Sequence, residues 1–459
     1  IPDRFRLSNA GSHRGISGVT RVPEQAERPT YIRWRVLSLL VLAGFVSYVL
    51  RYNVSTAGPS MMTDLNISEQ QLGYILAAFT AGYTIFQFPG GLMGDSLGPR
   101  KALTICMLLW GVLTLLTSAI PGGATTSVTT TLVLLIIVRF LVGAAHAPIF
   151  PLTGGVVERW FPAGNWALPN GLSSTGLTLG TAATAPVLAW MLGAYGWRVS
   201  FILLTPLAFV VAALWWWYAR DHVAEHPATN DAEVALVRSD RPQSMPGDDS
   251  EPSWLRVLKN RNVLLLMLAY ACMNYVFYQM FNWVFYYLVT VRGFDPQTAG
   301  FLTSVQWVAA AVGATLGGVI CDSACRRFGI RRGCAWPAIV GVVLSGAFFF
   351  GGAVSGNTTV VVACLASSFF FNQLTEGAFW AAGISIGGCH AAAACGVMNT
   401  GGNAMGIVNS LLVPFTASSF GWTAAMVTST FFAFASAVLW MFIRADKTIE
   451  GHVGTSTGD

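Results

Sequence analysis

Gly91-Leu92-Met93-Gly94-Asp95-Ser96-Leu97-Gly98-Pro99-Arg100-Lys101 is a short polar turn set between two apolar runs. Its glycines permit a tight reversal, and its aspartate stands near two bases. The same device returns as Gly318-Val319-Ile320-Cys321-Asp322, followed by Arg326, Arg327, Gly329, Arg331 and Arg332. Either turn alone is an ordinary charged loop. Two of them at matching places between apolar runs imply an internal structural repeat, a feature typical of membrane transporters.

Outward from these turns the chain is apolar. Of its 459 residues, 54% are hydrophobic and 10% charged, against about 25% charged in soluble domains. Water-soluble packing cannot hide so much apolar surface, so the lipid bilayer is the expected solvent. A spanning helix needs about 20 mostly apolar residues. Twelve segments qualify: 35–63, 69–93, 101–119, 131–155, 166–192, 198–219, 261–290, 297–320, 334–353, 358–386, 390–418 and 422–443. The expected fold is therefore an all-α membrane protein of twelve transmembrane helices. A polar stretch at 220–256 splits them into two pseudo-symmetric six-helix bundles, 35–219 and 257–443. Residues 1–34 lack the apolar core of a signal peptide and read, like 444–459, as a cytoplasmic tail.

Charge placement orients the chain. Twenty-two of its 26 basic residues fall on the side of the tails, the central stretch, Arg159 and the 94–101 and 322–332 turns. Arg198 and Arg292 lie opposite, and Arg51 and Arg139 lie within spans. The positive-inside rule then puts the tails and central loop in the cytoplasm, with the plasma membrane as the expected location. No basic patch interleaved with aromatics suggests nucleic-acid binding. No nucleophile–base pair or phosphate-cradling loop suggests an enzyme, and no cofactor is implied. The eight cysteines (Cys106, Cys272, Cys321, Cys325, Cys334, Cys364, Cys389 and Cys395) fall in or beside apolar runs with no CxxC pair. They read as small apolar fillers, with neither a metal nor a disulfide framework expected.

Ionisable groups inside spans are costly and usually face a cavity or a partner. Four stand deep in apolar sequence: Arg51, Arg139, His146 and Glu376. His146 follows Arg139 by about two helical turns, which places both on nearly one face. Asn372, Glu376 and Trp380 recur every four residues and should share a face. The seventh span offers Asn274, Tyr278, Gln279 and Asn282, and the eleventh Asn399 and Asn403. Such amides suit substrate hydroxyls but also bridge helices. The run Trp215-Trp216-Trp217 reads as an interfacial anchor.

Gly91-Leu92-Met93-Gly94-Asp95 resembles the signature loop of the major facilitator superfamily. Gly82-Tyr83-Thr-Ile-Phe-Gln87-Phe-Pro89-Gly90-Gly91, Arg139-Phe-Leu-Val-Gly143-Ala-Ala-His146-Ala-Pro148-Ile-Phe-Pro151, Arg159-Trp160-Phe-Pro162 and Gly196-Trp197-Arg198 narrow the likeness. Together they resemble the anion:cation symporter family, which carries sugar acids, carboxylates and other organic anions. In the second half the likeness rests on Phe379-Trp380 and the Asn-rich eleventh span. The resemblance implies alternating access around a central site, and function as a monomer. It implies that Arg51, Arg139 and Tyr83 line an anion site. It also implies that Gly91, Asp95, Arg100, Lys101, Asp322 and Arg326 help close a cytoplasmic gate. The sequence departs from proton-coupled members at two places. Leu50 stands where they carry an aspartate, and His146 where they carry a glutamate. Proton coupling then falls to His146 or Glu376, or sodium takes its place; His146 alternatively joins the anion site.

Four functions follow from these residues. The first is a secondary carrier of a small organic anion, driven by H+ or Na+ symport. The second is a phosphate-ester exchanger, which Tyr48-Val-Leu-Arg51 and Ala57-Gly-Pro59-Ser-Met61-Met62 also resemble. The others are a drug exporter, disfavoured by the cationic cavity, and a sensor that binds without turnover.

Overall fold

The computed structural model describes residues 28–122, 126–162, 167–238 and 257–449, except for the side chains of Phe88, Gly91, Asp95, Ala167, Cys389 and Ala392. Within these limits the chain is almost wholly helical. The helices of eight residues or more are α1 (Ile32–Leu65), α2 (Glu69–Leu97), α3 (Pro99–Ala119), α4 (Val128–His146), α5 (Ile149–Trp160), α6 (Ala167–Tyr218), α7 (Asp231–Arg238), α8 (Arg261–Asn282), α9 (Pro296–Val354), α10 (Thr358–Leu374), α11 (Glu376–Gly387) and α12 (Ala391–Phe442), with short helical turns at Val284–Tyr286 and Tyr287–Val291 carrying the path of α8 onward. Among the described residues, eight stretches are long and apolar enough to cross a membrane; the 29-residue α2 is not one of them.

Three helices are too long for one crossing. The 52 residues of α6 would extend about 78 Å if straight, against a hydrocarbon core of about 30 Å. Each is broken by a glycine in a conformation open only to glycine: Gly196 in α6, Gly329 in α9 and Gly421 in α12, all with φ of 72–84° and ψ of 161–170°. Packing shows that the chain reverses there. The first arm of α6 runs along α1, with Gly176 against the Val41 carbonyl and Gly180 against that of Phe45. The second arm runs back along α3: Phe209 meets Gly111, and Trp215 Nε1 donates to the Arg100 carbonyl (3.2 Å). The two arms of α9 both pack on α10 in opposite senses, the first parallel to it (Gly313 on Phe370, Gly317 on Leu374) and the second antiparallel (Gly341 on Phe371, Gly352 on Val361). Those of α12 pair with α8. Counting arms, leaving out the short α7 and taking α4–α5 and α10–α11 as kinked single paths, gives twelve helical paths among the described residues.

The repeat seen in the two charged turns extends through the fold. Gly98, at the α2–α3 turn, adopts the same conformation as Gly329 (φ 78°, ψ 150°). Gly196-Trp197 and Gly421-Trp422 turn matching arms. The fourth span is not continuous, as 131–155 had suggested; it breaks at Pro148 (φ −70°, ψ −12°). Its counterpart breaks at Thr375 (φ −78°, ψ −17°). Thr375 follows Pro148 by 227 residues, as Asp322 follows Asp95. Beside these kinks, small residues bring backbones together. A Cβ on Gly82 would strike the Phe140 carbonyl, and one on Gly317 that of Leu374. Close approach through small residues is how helices associate where lipid removes the hydrophobic drive.

The central polar stretch is only partly a loop. Its α7 docks on the start of α1, where Glu233, fully buried, accepts from the Ile32 and Arg33 amides (3.2 and 3.1 Å), Thr30 Oγ1 and the Arg33 guanidinium (3.3 Å). These amides have no intrahelical acceptor. Asp221 does the same for α3, accepting from the Arg100 amide (2.8 Å). The remainder, 239–256, and the tails 1–27 and 450–459 lie outside the described residues.

The two bundles meet at the end opposite the basic turns. Gly73 of α2 packs on Ser410 and Pro414 of α12, and Gly300 of α9 on Ala185 and Pro186 of α6. Tyr286 Oη donates to Glu69 (2.7 Å), and Ser304 Oγ to the Ala182 carbonyl. Arg198 pairs with Asp64 near this end. Toward the basic end, Asn170 and Ser174 of α6 and Thr400 of α12 are exposed polar positions in otherwise apolar helices.

Candidate functional site

Arg51 and Arg139 come to the middle of the first bundle and are almost wholly enclosed, with 4% and 2% of their surfaces exposed. Four rings surround the Arg51 guanidinium carbon: Tyr83 at 4.6 Å, Tyr48 at 5.0 Å, Phe281 at 5.1 Å and Phe79 at 5.2 Å to the centroid. Its terminal nitrogen donates to Tyr48 Oη (3.2 Å). The Arg139 guanidinium carbon lies 4.8 Å from the Phe79 centroid, so both cations share one ring. The Nε of each arginine has no hydrogen-bond partner.

The missing feature is a counter-charge. The ion pairs among the described residues, Arg33–Glu233, Arg198–Asp64 and Arg331–Asp446, all lie toward the ends of the helices. Cation–π contacts are worth about 0.5–2 kcal/mol each, while taking a cation out of water costs several kcal/mol. Four rings bring Arg51 close to compensation, but the single ring at Arg139 leaves it short, and an anion between the two guanidiniums would supply the difference. Ser47 Oγ, Tyr52 Oη and Asn53 Oδ1, on the same stretch of α1, also lack partners.

Tyr83 belongs to this cluster, stacked on Phe79 at 6.2 Å. His146 is near it but committed to packing. Its Nδ1 faces the Val142 carbonyl (2.8 Å) and its Nε2 the Ser47 carbonyl (3.2 Å), and its ring stacks on Trp110 at 4.8 Å. It thereby ties α4 to α1 directly behind Arg51.

Glu376 does not reach the arginines. Its Oε1 accepts from Tyr270 Oη (2.8 Å) and Trp380 Nε1 (2.7 Å), all within the second bundle. Glu376 and Trp380 share a face as expected. Asn372 leaves it, because the Thr375 kink intervenes, and donates to the Met273 carbonyl (3.2 Å).

The amides are mostly spoken for. Asn274 donates to the Tyr270 carbonyl (3.0 Å), Asn282 to Ser410 Oγ (3.1 Å), and Asn409, which the sequence had not singled out, to Gln279 (2.9 Å). Tyr278 donates to Asn403 (2.9 Å), and Asn403 to Gln87 (3.3 Å), which links the bundles near the site. Asn399 is half-buried one turn away.

In the charged turns, Arg100 binds the Trp216 carbonyl at the end of α6 and lies over that indole at 4.4 Å. Trp215 is buried, so of the tryptophan run only Trp216 and Trp217 are exposed. Lys101 and Asp322 are exposed, and Arg326 donates to Ser323 Oγ (3.3 Å). Neither Asp322 nor Arg326 is in an ion pair among the described residues. The side chains of Gly91 and Asp95 lie outside that set. Sequence reading missed Phe79 and Phe281. Phe79 sits four residues before Tyr83, a spacing that marks a shared helical face; Phe281 comes from the other bundle and left no local signal.

A family model for the Major Facilitator Superfamily matches residues 40–408. The chain belongs to the major facilitator superfamily. Its members here are transporters and not enzymes, and the chain is an integral, multi-pass membrane protein. Within the superfamily it is 29% identical over 382 residues to a probable sulfoacetate transporter of Cupriavidus necator, covering 83% of this chain and 86% of that one. It is 28% identical over 329 residues to a probable galactarate/D-glucarate transporter of Bacillus subtilis, covering 70% and 71%. The fold matches a bacterial homologue of the human lysosomal transporter Spinster, solved inward-facing and unoccupied. That match has a TM-score of 0.74 at 15% identity and covers 90% of this chain and 97% of that one.

Proposed function

We propose that the chain is a secondary transporter of a small organic anion, a carboxylate or sugar acid, working by alternating access. The observation that carries this reading is the pair of buried arginines with no carboxylate partner among the described residues. Guanidinium forks bind carboxylate and sulfonate-like oxygens bidentately. Relatives named for sulfoacetate and for galactarate/glucarate support an anionic cargo. They favour it over the phosphate-ester exchange that the first span alone left open.

In this reading Arg51 and Arg139 hold the anionic head, with Tyr83 and Tyr48 beside it. Tyr278, Asn403 and Asn399 meet the body of the substrate from the second bundle. Trp380, bonded to Glu376, borders that wall, and Asn274 and Asn282 shape it from behind. The bundle contacts at the Glu69–Tyr286 end form a closed extracellular gate. The basic end, with its Asp95 and Asp322 turns, opens to the cytoplasm, where the tails lie. Transport is coupled to H+ or Na+, and Glu376 is the carboxylate that takes the coupling ion. His146 supports Arg51 from behind.

Proteoliposome transport tests the two halves separately. Wild type should accumulate a hexuronate, galactarate or sulfoacetate against its gradient when an H+ or Na+ gradient is imposed. Glu376→Gln should keep anion counterflow but lose gradient-driven accumulation. Equal accumulation by Glu376→Gln would remove the coupling role, and absence of anion counterflow in wild type would remove the carrier reading.

A further inference from the structure

The anion site makes no use of the cysteines, yet three of them converge. Cys321 and Cys325 lie four residues apart on the first arm of α9, and Cys334 opens the second arm beyond the Gly329 turn. The Cys325 sulfur is 3.9 Å from that of Cys321 and 3.7 Å from that of Cys334, and all three lie within 4.8 Å of one another. Gly333 permits the approach, because a Cβ there would run into the Cys325 backbone. Cys321 and Cys334 are buried, and Cys325 is partly open. No CxxC spacing announced this group; the turn itself assembles it.

We propose that Cys321, Cys325 and Cys334 form a three-thiolate site for a soft d10 metal ion, Cu(I) or Zn(II). The spacing suits such an ion. Metal–sulfur bonds of about 2.3 Å put sulfurs about 3.8 Å apart in a tetrahedral set and about 4.0 Å apart in a trigonal one. Soft thiolates select these ions over hard cations. On binding, each thiol gives its proton to solvent and its sulfur lone pair to the metal, with no change of oxidation state. Three thiolates around a mono- or divalent ion leave net negative charge. Arg326, Arg327, Arg331 and Arg332 of the same turn are the cations available to offset it, against Asp322 beside Cys321 and Cys325. Copper is satisfied by the three sulfurs; zinc takes a water as fourth ligand from the open side at Cys325. The bound ion clips the two arms of α9 together across Gly329.

The test uses the full chain, purified under reducing conditions and freed of metal. Cadmium is the probe, read by its thiolate charge-transfer absorption in the ultraviolet, with Zn(II) and chelator-buffered Cu(I) as competitors. Wild type should bind one cadmium per chain and melt at a higher temperature when it does. The competitor that displaces cadmium at the lower free concentration identifies the preferred ion. Cys325→Ser and Cys321→Ser/Cys334→Ser should lose the absorption and the melting shift, while Cys272→Ser retains both. Metal-free melting of each variant checks folding. Cadmium binding unchanged in Cys325→Ser overturns the site. So does a wild-type protein that takes up no cadmium; loss of two titratable thiols on air exposure, abolished by Cys325→Ser, would then mark a disulfide through Cys325 in place of a metal site.

Discussion

Among single residues, Arg51 and Arg139 stand out as buried charges with no ion-pair partner among the described residues. A charge-assisted hydrogen bond is worth about 1.5–3 kcal/mol, so Arg139→Ala should weaken anion binding about 10- to 150-fold, measured by equilibrium binding to purified protein. Arg51→Lys should lose nearly as much, because an ammonium keeps the charge but not the fork. Unchanged affinity in both would make the arginines structural. His146 behaves differently in this account. His146→Ala removes a ring stacked on Trp110 and should lower stability by about 3 kcal/mol, by analogy with deletion of other buried aromatic rings. Thermal melting checks this, and a normal melt with altered anion affinity would return His146 to the substrate site. The arginines were legible in the sequence because a charge inside an apolar run has few explanations. Their ring cage was not, because Phe281 enters from another bundle and any aromatic in a spanning helix looks alike in one dimension.

At the element scale, the spans were legible almost to their ends, since apolar length is what a bilayer demands. The expected 35–63 became Ile32–Leu65, and the expected 358–386 ends at Gly387. The breaks were not. Pro148 is visible in the sequence, but many prolines bend spanning helices without ending them; Pro59, Pro89 and Pro206 all sit inside continuous helices here. Thr375 carries no sequence signal at all, and it moves Asn372 off the face of Glu376. Nor does composition betray α7, whose Glu233 serves α1 while Asp231 and Arg238 face solvent. Glu233→Ala should strand the first amides of α1 and an arginine, at a cost of about 1–3 kcal/mol. Hydrogen exchange should then quicken at residues 31–36 while the amides of α8 stay protected. Equal protection at both would leave Glu233 without the capping role.

On the scale of the whole molecule, the matched turns at Gly98/Gly329 and Gly196/Gly421 and the matched kinks at Pro148 and Thr375 describe one six-span unit used twice. Alternating access needs the contacts at the Glu69–Tyr286 end to part. Cysteines replacing Glu69 and Tyr286, bridged by a bifunctional methanethiosulfonate, should therefore stop transport, with reductant restoring it. Transport that continues through the cross-link would exclude opening at that end.

The most direct test of the central claim is ligand-induced stabilisation, run on wild type and Arg139→Ala with hexonates, hexuronates, dicarboxylates, sulfonates, phosphate esters, amino acids and cationic drugs. A ligand at about 100 times its Kd should stabilise the folded state by about 2.7 kcal/mol. One class of carboxylate or sulfonate anion should stabilise the wild type, and Arg139→Ala should lose that stabilisation. Stabilisation by cationic or neutral compounds, equal in both proteins, would contradict an anion site at Arg139.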